Sequence, residues 1–281
     1  MRVFAAGFAV VLAVVSAPGP RQTGATAVPG LAWHESAPGL ERTEFDLPGA
    51  RGGWRTRIVA VRVDPNRFRF RLRARLSGAR PAWTVDRAPE SAVLAMNAGQ
   101  FSGLAPWGWL VMGGREIRPP GRGPLSTAVA WDAAGRVRWL APSDIEAERA
   151  AGRTAEAIQS YPTLIDERGA VPRPLREPGL GVDAEHRDAR LAMGSLPDGR
   201  LAVVITRFNG FGAVSPALPL GLTLGETADV MLGLGCRRAV SLDGGLSAQL
   251  LVRERGRTLA WRGWRPVPLG LVAEPAADGG D

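Results

Sequence analysis

Four short stretches set glycine and polar or charged side chains beside an apolar strand pattern, and each could carry chemistry. Leu242-Asp243-Gly244-Gly245-Leu246-Ser247 lies between the apolar runs Ala239–Leu242 and Gln249–Arg253. Asp-Gly between such runs signals a hairpin, because both residues accept positive φ. The stretch therefore reads either as a tight turn or as a carboxylate presented at a strand end. Met96-Asn97-Ala98-Gly99-Gln100-Phe101 closes the strand pattern Val93–Met96 with two amides, and a glycine-rich loop bearing Trp107 and Trp109 follows. Amides suit sugar hydroxyls and indoles suit sugar faces; an Asx-type turn accounts for the segment without a ligand. His186-Arg187-Asp188-Ala189-Arg190 is densely ionisable and runs into the strand pattern Leu191–Ser195. Its arginines could clamp an anion bidentately or form a surface ion-pair cluster. Arg262-Gly263-Trp264-Arg265-Pro266 precedes the final strand pattern.

Strands must position these groups. Thr56–Val63 and Arg67–Arg75 alternate with period two. The second run turns Phe68, Phe70, Leu72 and Ala74 to a core and a row of arginines to solvent. Short strands are expected at Trp109–Met112, Thr127–Trp131, Arg136–Leu140, Thr163–Asp166, Leu201–Thr206 and Val267–Val272. Gly113-Gly114, Asp132–Gly135 and Pro197-Asp198-Gly199 supply turns. Two helices are expected: Ser143–Gly152, opened by a capping box of Ser143 and Glu146, and a second from Thr223 to about Leu234. Thr223 and Glu226 cap the second, and Gly235 stops it. With no linker or repeat between Pro29 and Glu274, the reading is α+β. It is one domain over residues 28–281, with its core at about 55–272, built of mixed or antiparallel sheets and a few flanking helices.

Arg2 followed by the apolar run Val3–Ala17, broken by Pro18 and Pro20, predicts a secretory leader over residues 1–27. An uncleaved anchor is the alternative. The expected location is periplasmic or secreted, with no membrane contact beyond the leader. At 281 residues and 45% hydrophobic content, a sizeable core is feasible. Cys236 is the only cysteine, so an intramolecular disulfide is ruled out and Cys236 reads as a small buried apolar residue. One cysteine and two histidines argue against a zinc site of that ligand type. The net charge of +8 comes from arginine without a single lysine. These arginines do not alternate with aromatics as on a nucleic-acid surface, so no nucleic-acid partner is expected.

Taken in order, the stretches resemble the phosphodiester glycosidase family. Asn97, Gly99 and Phe101 stand in an Asn-Gly-Gly-Phe-Phe-like motif, and Tyr161-Pro162-Thr163-Leu164-Ile165 precedes a glycine turn. Arg190-Leu191-Ala192-Met193-Gly194 resembles an Arg-Thr-Ala-Ile-Gly strand. The capped helix at Thr223–Glu226, then Leu242–Ser247 and Arg265-Pro266-Val267, complete the series over roughly residues 55–272. The chain departs from the motifs at Ala98, Gln100, Leu191, Ala248 and above all Leu246, where the family has glycine. These departures leave the charged and amide groups in place and alter the pocket wall.

The resemblance implies hydrolysis of the anomeric C–O bond of a sugar-1-phosphodiester, possible without full proton donation because phosphate leaves readily. Arg190 would cradle the phosphate with Arg187 and Arg265 in support, and Ser247 would join the substrate site. Asp243 would activate water or stabilise oxocarbenium charge, with backbone N–H groups of Gly244 and Gly245 close to substrate. Asn97 and Gln100 would orient sugar hydroxyls, and His186 would act as acid or base. Glu226 is a site residue by resemblance, although its capping box explains it equally. No cofactor is expected, while several carboxylates near a phosphate could hold a divalent cation such as Ca²⁺. The expected partner is a sugar-phosphate or glycan, in an exopolysaccharide or envelope polymer. A non-catalytic glycan-binding protein and a phosphodiesterase cutting at phosphorus are the competing readings.

Overall fold

The computed structural model describes residues 30–48, 55–74, 81–103, 105–209 and 221–276. The leader read over residues 1–27 lies outside them. Three antiparallel sheets dominate. The seven-stranded sheet runs His34–Ala37, Leu40–Pro48, Arg55–Val63, Leu201–Asn209, Leu191–Ser195, Arg238–Leu242, Thr163–Ile165. A five-stranded sheet runs Val137–Leu140, Thr127–Asp132, Thr154–Ser160, Leu110–Met112, Arg115–Arg118, and another runs Arg257–Trp261, Leu250–Glu254, Leu94–Asn97, Leu269–Pro275, Phe68–Ala74.

The inner strands of the seven-stranded sheet are buried on both faces, which is why Arg55–Val63 carries the unbroken apolar run Ile58–Val61. On one face Val59, Val61, Leu191 and Met193 pack with Phe70, Leu94, Met96 and Trp131 of the other sheets. On the opposite face Ile58, Ala60, Ala192 and Val204 meet Ala228 and Met231 of the helix Leu224–Gly233. That helix opens with the expected box: Thr223 Oγ1 accepts from Glu226 N at 3.1 Å, and Thr223 N donates to Glu226 Oε2 at 3.0 Å. Cys236 is buried beneath it, and burial pushes its thiol up to about 12.

The expected antiparallel sheets and few helices form, in a fold more sheet-dominated than the α+β class implies. Two further expectations are corrected. The helix Ile145–Ala151 forms without the Ser143–Glu146 box, because Pro142–Asp144 makes a 3-10 turn and Glu146 pairs with Arg149 at 2.7 Å. Strands also form at His34–Ala37, Leu40–Pro48, Thr154–Ser160 and Arg257–Trp261, where polar residues interrupt the alternation. Leu40–Pro48 is held by pairing along the whole of Arg55–Val63, a tertiary contact that local propensity does not register.

Candidate active site

Asp243-Gly244-Gly245 is not a hairpin. Arg238–Leu242 belongs to the seven-stranded sheet, whereas Leu250–Glu254 pairs with Leu94–Asn97 in another sheet. The chain crosses between them through the 3-10 turn Gly245–Ser247. Asn97 pins this crossing: its Nδ2 donates to Asp243 O at 2.8 Å, and its Oδ1 accepts from Gln249 N at 3.0 Å. Asn97 is fully buried, so its amide is taken up by backbone and is not available to a sugar hydroxyl.

The two glycines have a steric reason. A Cβ on Gly244 would lie 2.4 Å from Ala189 O, and one on Gly245 (φ +57) would lie 2.6 Å from Asp188 Oδ2. Gly245 N donates to Ala189 O at 2.7 Å. The close approach therefore serves the neighbouring segment of the chain, and the Gly245 N–H does not face a ligand.

That packing brings Asp188 beside Asp243. Burial pushes the Asp243 carboxyl above the usual range; a hydrogen bond with Ser247 and the Arg265 charge oppose the rise, and the Asp188 charge adds to it. Asp243 Oδ2 is buried without a hydrogen-bond partner among the described residues. Ser247 is itself buried, and exposed Arg265 donates from Nε to its Oγ at 3.3 Å. His186 is exposed, with Nε2 3.6 Å from Asp188 Oδ2. Two carboxylates thus lie within electrostatic reach of each other, with a histidine on one side and an arginine on the other.

The segment before Leu191 treats its two arginines oppositely. Arg187 grips Glu226 through both terminal guanidinium nitrogens, at 2.5 and 2.8 Å, and donates to Gly221 O at 3.1 Å. Glu226 is thus taken up by Arg187 and by the helix cap, and neither residue is free to act as the resemblance implied. Among the described residues Arg190 bonds to carbonyls alone, Leu222 O at 2.8 Å and His186 O at 2.5 Å. Burial pushes its guanidinium below the ordinary arginine range, while Asp188, Asp183 and Glu226 pull the other way. Arg190 and His186 line a cleft of about 700 Å³. Its facing wall carries Trp107 and Tyr161, whose rings meet edge-to-face at 4.8 Å. Gln100 donates to Tyr161 O at 2.8 Å, next to the Gly99 carbonyl that accepts from Asp243 N at 2.8 Å. One loop therefore supports both the aromatic wall and the carboxylate turn.

Trp109, read with Trp107 as a sugar platform, is instead buried and donates to Glu116 at 2.8 Å. Sequence reasoning passed over Asp188 although it lies inside the charged stretch. It also passed over Gln159 and Arg207, whose places in apolar strand patterns offer no signal. Gln159 Oε1 accepts from Trp109 N and Gly121 N at 2.9 and 2.8 Å. Arg207 Nη2 donates to Ala248 O, Trp261 O and Arg262 O at 2.5, 3.3 and 3.2 Å. Desolvation lowers its guanidinium to about 10. Arg207 thereby joins the far end of the Asp243 turn to the loop that bears Arg265. Among the described residues no group of three or more His, Cys, Asp or Glu side chains is arranged to hold a metal ion.

The arrangement of sheets is shared with solved structures. The catalytic domain of zebrafish N-acetylglucosamine-1-phosphodiester α-N-acetylglucosaminidase, auto-inhibited by its pro-peptide, superposes with a TM-score of 0.64 at 18% identity, covering 86% of each chain. A Burkholderia pseudomallei protein described as exported gives a TM-score of 0.57 at 18% identity, over 81% of this chain and 75% of that one. A hypothetical protein from Synechocystis gives 0.60 at 15% identity over 88% of this chain, which spans 64% of that protein's length. No curated protein matches by sequence. The chain belongs to the phosphodiester glycosidase family, whose model matches residues 90–274, the span that contains Asn97, Arg190 and Asp243. Among the described residues no helix is long and apolar enough to cross a membrane.

Proposed function

We propose that the protein is an exported hydrolase that cleaves the glycosidic bond of a sugar-1-phosphodiester in an exopolysaccharide or envelope polymer. Family membership supports hydrolase chemistry of this type. The observation that carries the reading is, among the described residues, the buried, unpartnered Oδ2 of Asp243, in a turn packed against Ala189 and Arg190, whose guanidinium lines the cleft with no carboxylate within ion-pair distance. Water attacks the anomeric carbon while the C–O bond to phosphate breaks, and the phosphomonoester departs with the bonding pair. Arg190 stabilises the departing charge. The proton lost by water passes to the ionised Asp243 carboxylate, which burial makes a stronger base than a solvated aspartate. Asp188 sustains that basicity, Arg265 limits it, and the step as written calls on no cofactor.

The sugar in the zebrafish relative's name makes α-N-acetylglucosamine the first to test. Turnover of a panel of sugar-1-(methyl phosphates) in ¹⁸O-water should place the label in the sugar. Label in the phosphate would mark a phosphodiesterase. Absence of turnover by the wild type, with binding retained, would mark a glycan-binding protein.

A further inference from the structure

The rim of the cleft carries a second guanidinium that the chemistry above does not use. Arg122 lines the cleft together with Arg190, and among the described residues no carboxylate lies within ion-pair distance of it. It sits in Pro119-Pro120-Gly121-Arg122-Gly123, which forms neither helix nor strand. That segment is nonetheless held in place. The buried Gln159 side chain accepts from Gly121 N at 2.8 Å and donates to Gly121 O at 3.0 Å. Its Nε2 also donates to Ser126 Oγ at 2.9 Å. The Trp107 ring lies so close to Gly121 that a Cβ there would come within 2.6 Å of it. Both backbone groups of the residue before Arg122 are therefore fixed by a buried amide, and its open face is covered by the aromatic wall. Rigid presentation of this kind reduces the ordering cost of binding a ligand.

A phosphodiester carries one negative charge, and Arg190 suffices for it. A cleft of about 700 Å³ is also roomier than one sugar and its phosphate require. We infer that Arg122 is a specificity-determining residue that binds a second anionic group of the same substrate. The preferred substrate is then a glycosyl phosphodiester bearing a further carboxylate or phosphate, and not one with a neutral aglycone. This rests on the hydrolase reading for the position of the phosphodiester, but its test does not require turnover.

The test uses three α-N-acetylglucosamine 1-phosphodiesters, with methyl, 2-carboxyethyl and 2-phosphoethyl aglycones. Their binding is measured by calorimetry on Asp243→Asn, with and without Arg122→Gln or Arg122→Lys. A charge-assisted contact should make one or both charged esters bind about tenfold more tightly than the methyl ester. Arg122→Gln should reduce that ratio to near one, and Arg122→Lys should keep part of it. The two charged arms separate a carboxylate-bearing from a phosphate-bearing substrate. Equal binding of all three esters, no binding of any, or a ratio that survives Arg122→Gln would overturn the inference. Failure of the wild type to hydrolyse the esters, with the charge preference intact, would overturn the hydrolase reading and leave Arg122 as a binding determinant.

Discussion

The turn that carries Asp243 and the segment that carries Arg190 meet at one site but are built in opposite ways. Around Asp243 the polar groups are consumed by the chain itself. Asn97 bonds to backbone on both sides, Gly245 N bonds to Ala189 O, and Arg207 caps three carbonyls. The result is a carboxyl held in a buried setting that favours its neutral form. Around Arg190, among the described residues, the guanidinium bonds to two backbone carbonyls and has no carboxylate within ion-pair distance, whereas nearby Arg187 is taken up by a bidentate pair with Glu226. A tightly bonded turn shifts a proton affinity; a guanidinium outside any ion pair offers charge to a ligand. Polar residue type alone does not separate the two roles.

Replacing Asp243 by Asn should break the first half of the comparison most severely. If Asp243 is the general base proposed above, its loss lowers kcat by about a thousandfold. The folded-state value of Asp243 is raised, so the wild type loses stability as pH climbs from the unfolded carboxylate range through the raised value. The Asn variant should escape that loss and be more stable at neutral pH by about 1 kcal/mol. Thermal melts across pH check the sign; a variant less stable than the wild type at neutral pH would count against a strained carboxyl.

Arg207→Met leaves three carbonyls without their donor. About 3 kcal/mol of stability should go with it, visible as a fall in Tm of roughly 6–12 °C. Turnover measured well below that Tm should fall as well, since the Asp243 turn and the Arg265 loop lose their common tie.

The two arginines sharpen the second half. Arg190→Gln should lower kcat/KM about a hundredfold and, by releasing the Leu222 and His186 carbonyls, cost about 1–2 kcal/mol of stability. Arg187→Gln should lose roughly 1 kcal/mol of stability and keep kcat/KM within a few-fold. Reversed effects on kcat/KM would make Arg187 the anion ligand and Arg190 the structural group. The smallest effects are shifts in pH dependence. Removing the Asp188 charge with Asp188→Asn should move the acid limb of kcat/KM to lower pH, and Arg265→Gln should move it to higher pH. Shifts in the same direction would break the assignment of Asp243 as the titrating group.

Local signals were readable where short-range geometry decides. The Thr223–Glu226 box forms as expected because its partners lie within one helical turn. The alternation of Phe68–Ala74 and the turns at Gly113-Gly114 and Asp132–Gly135 also follow from residues close in the chain. Ser143–Glu146 met the same pattern and failed, because Pro142 begins a 3-10 turn. At the site, the sequence by itself determined which residues are gathered: Asn97, Arg190 and Asp243 stand at the ends of strands whose apolar patterns bring them together. Only the tertiary structure decided what each one does. Asn97 and Gln249 are distant in sequence, as are Arg207 and Ala248, or Asp188 and Gly245. Whether a polar group meets backbone, an opposite charge or open solvent depends on those distant partners. That physical difference turned the Asp243 turn from a hairpin into a crossing between sheets.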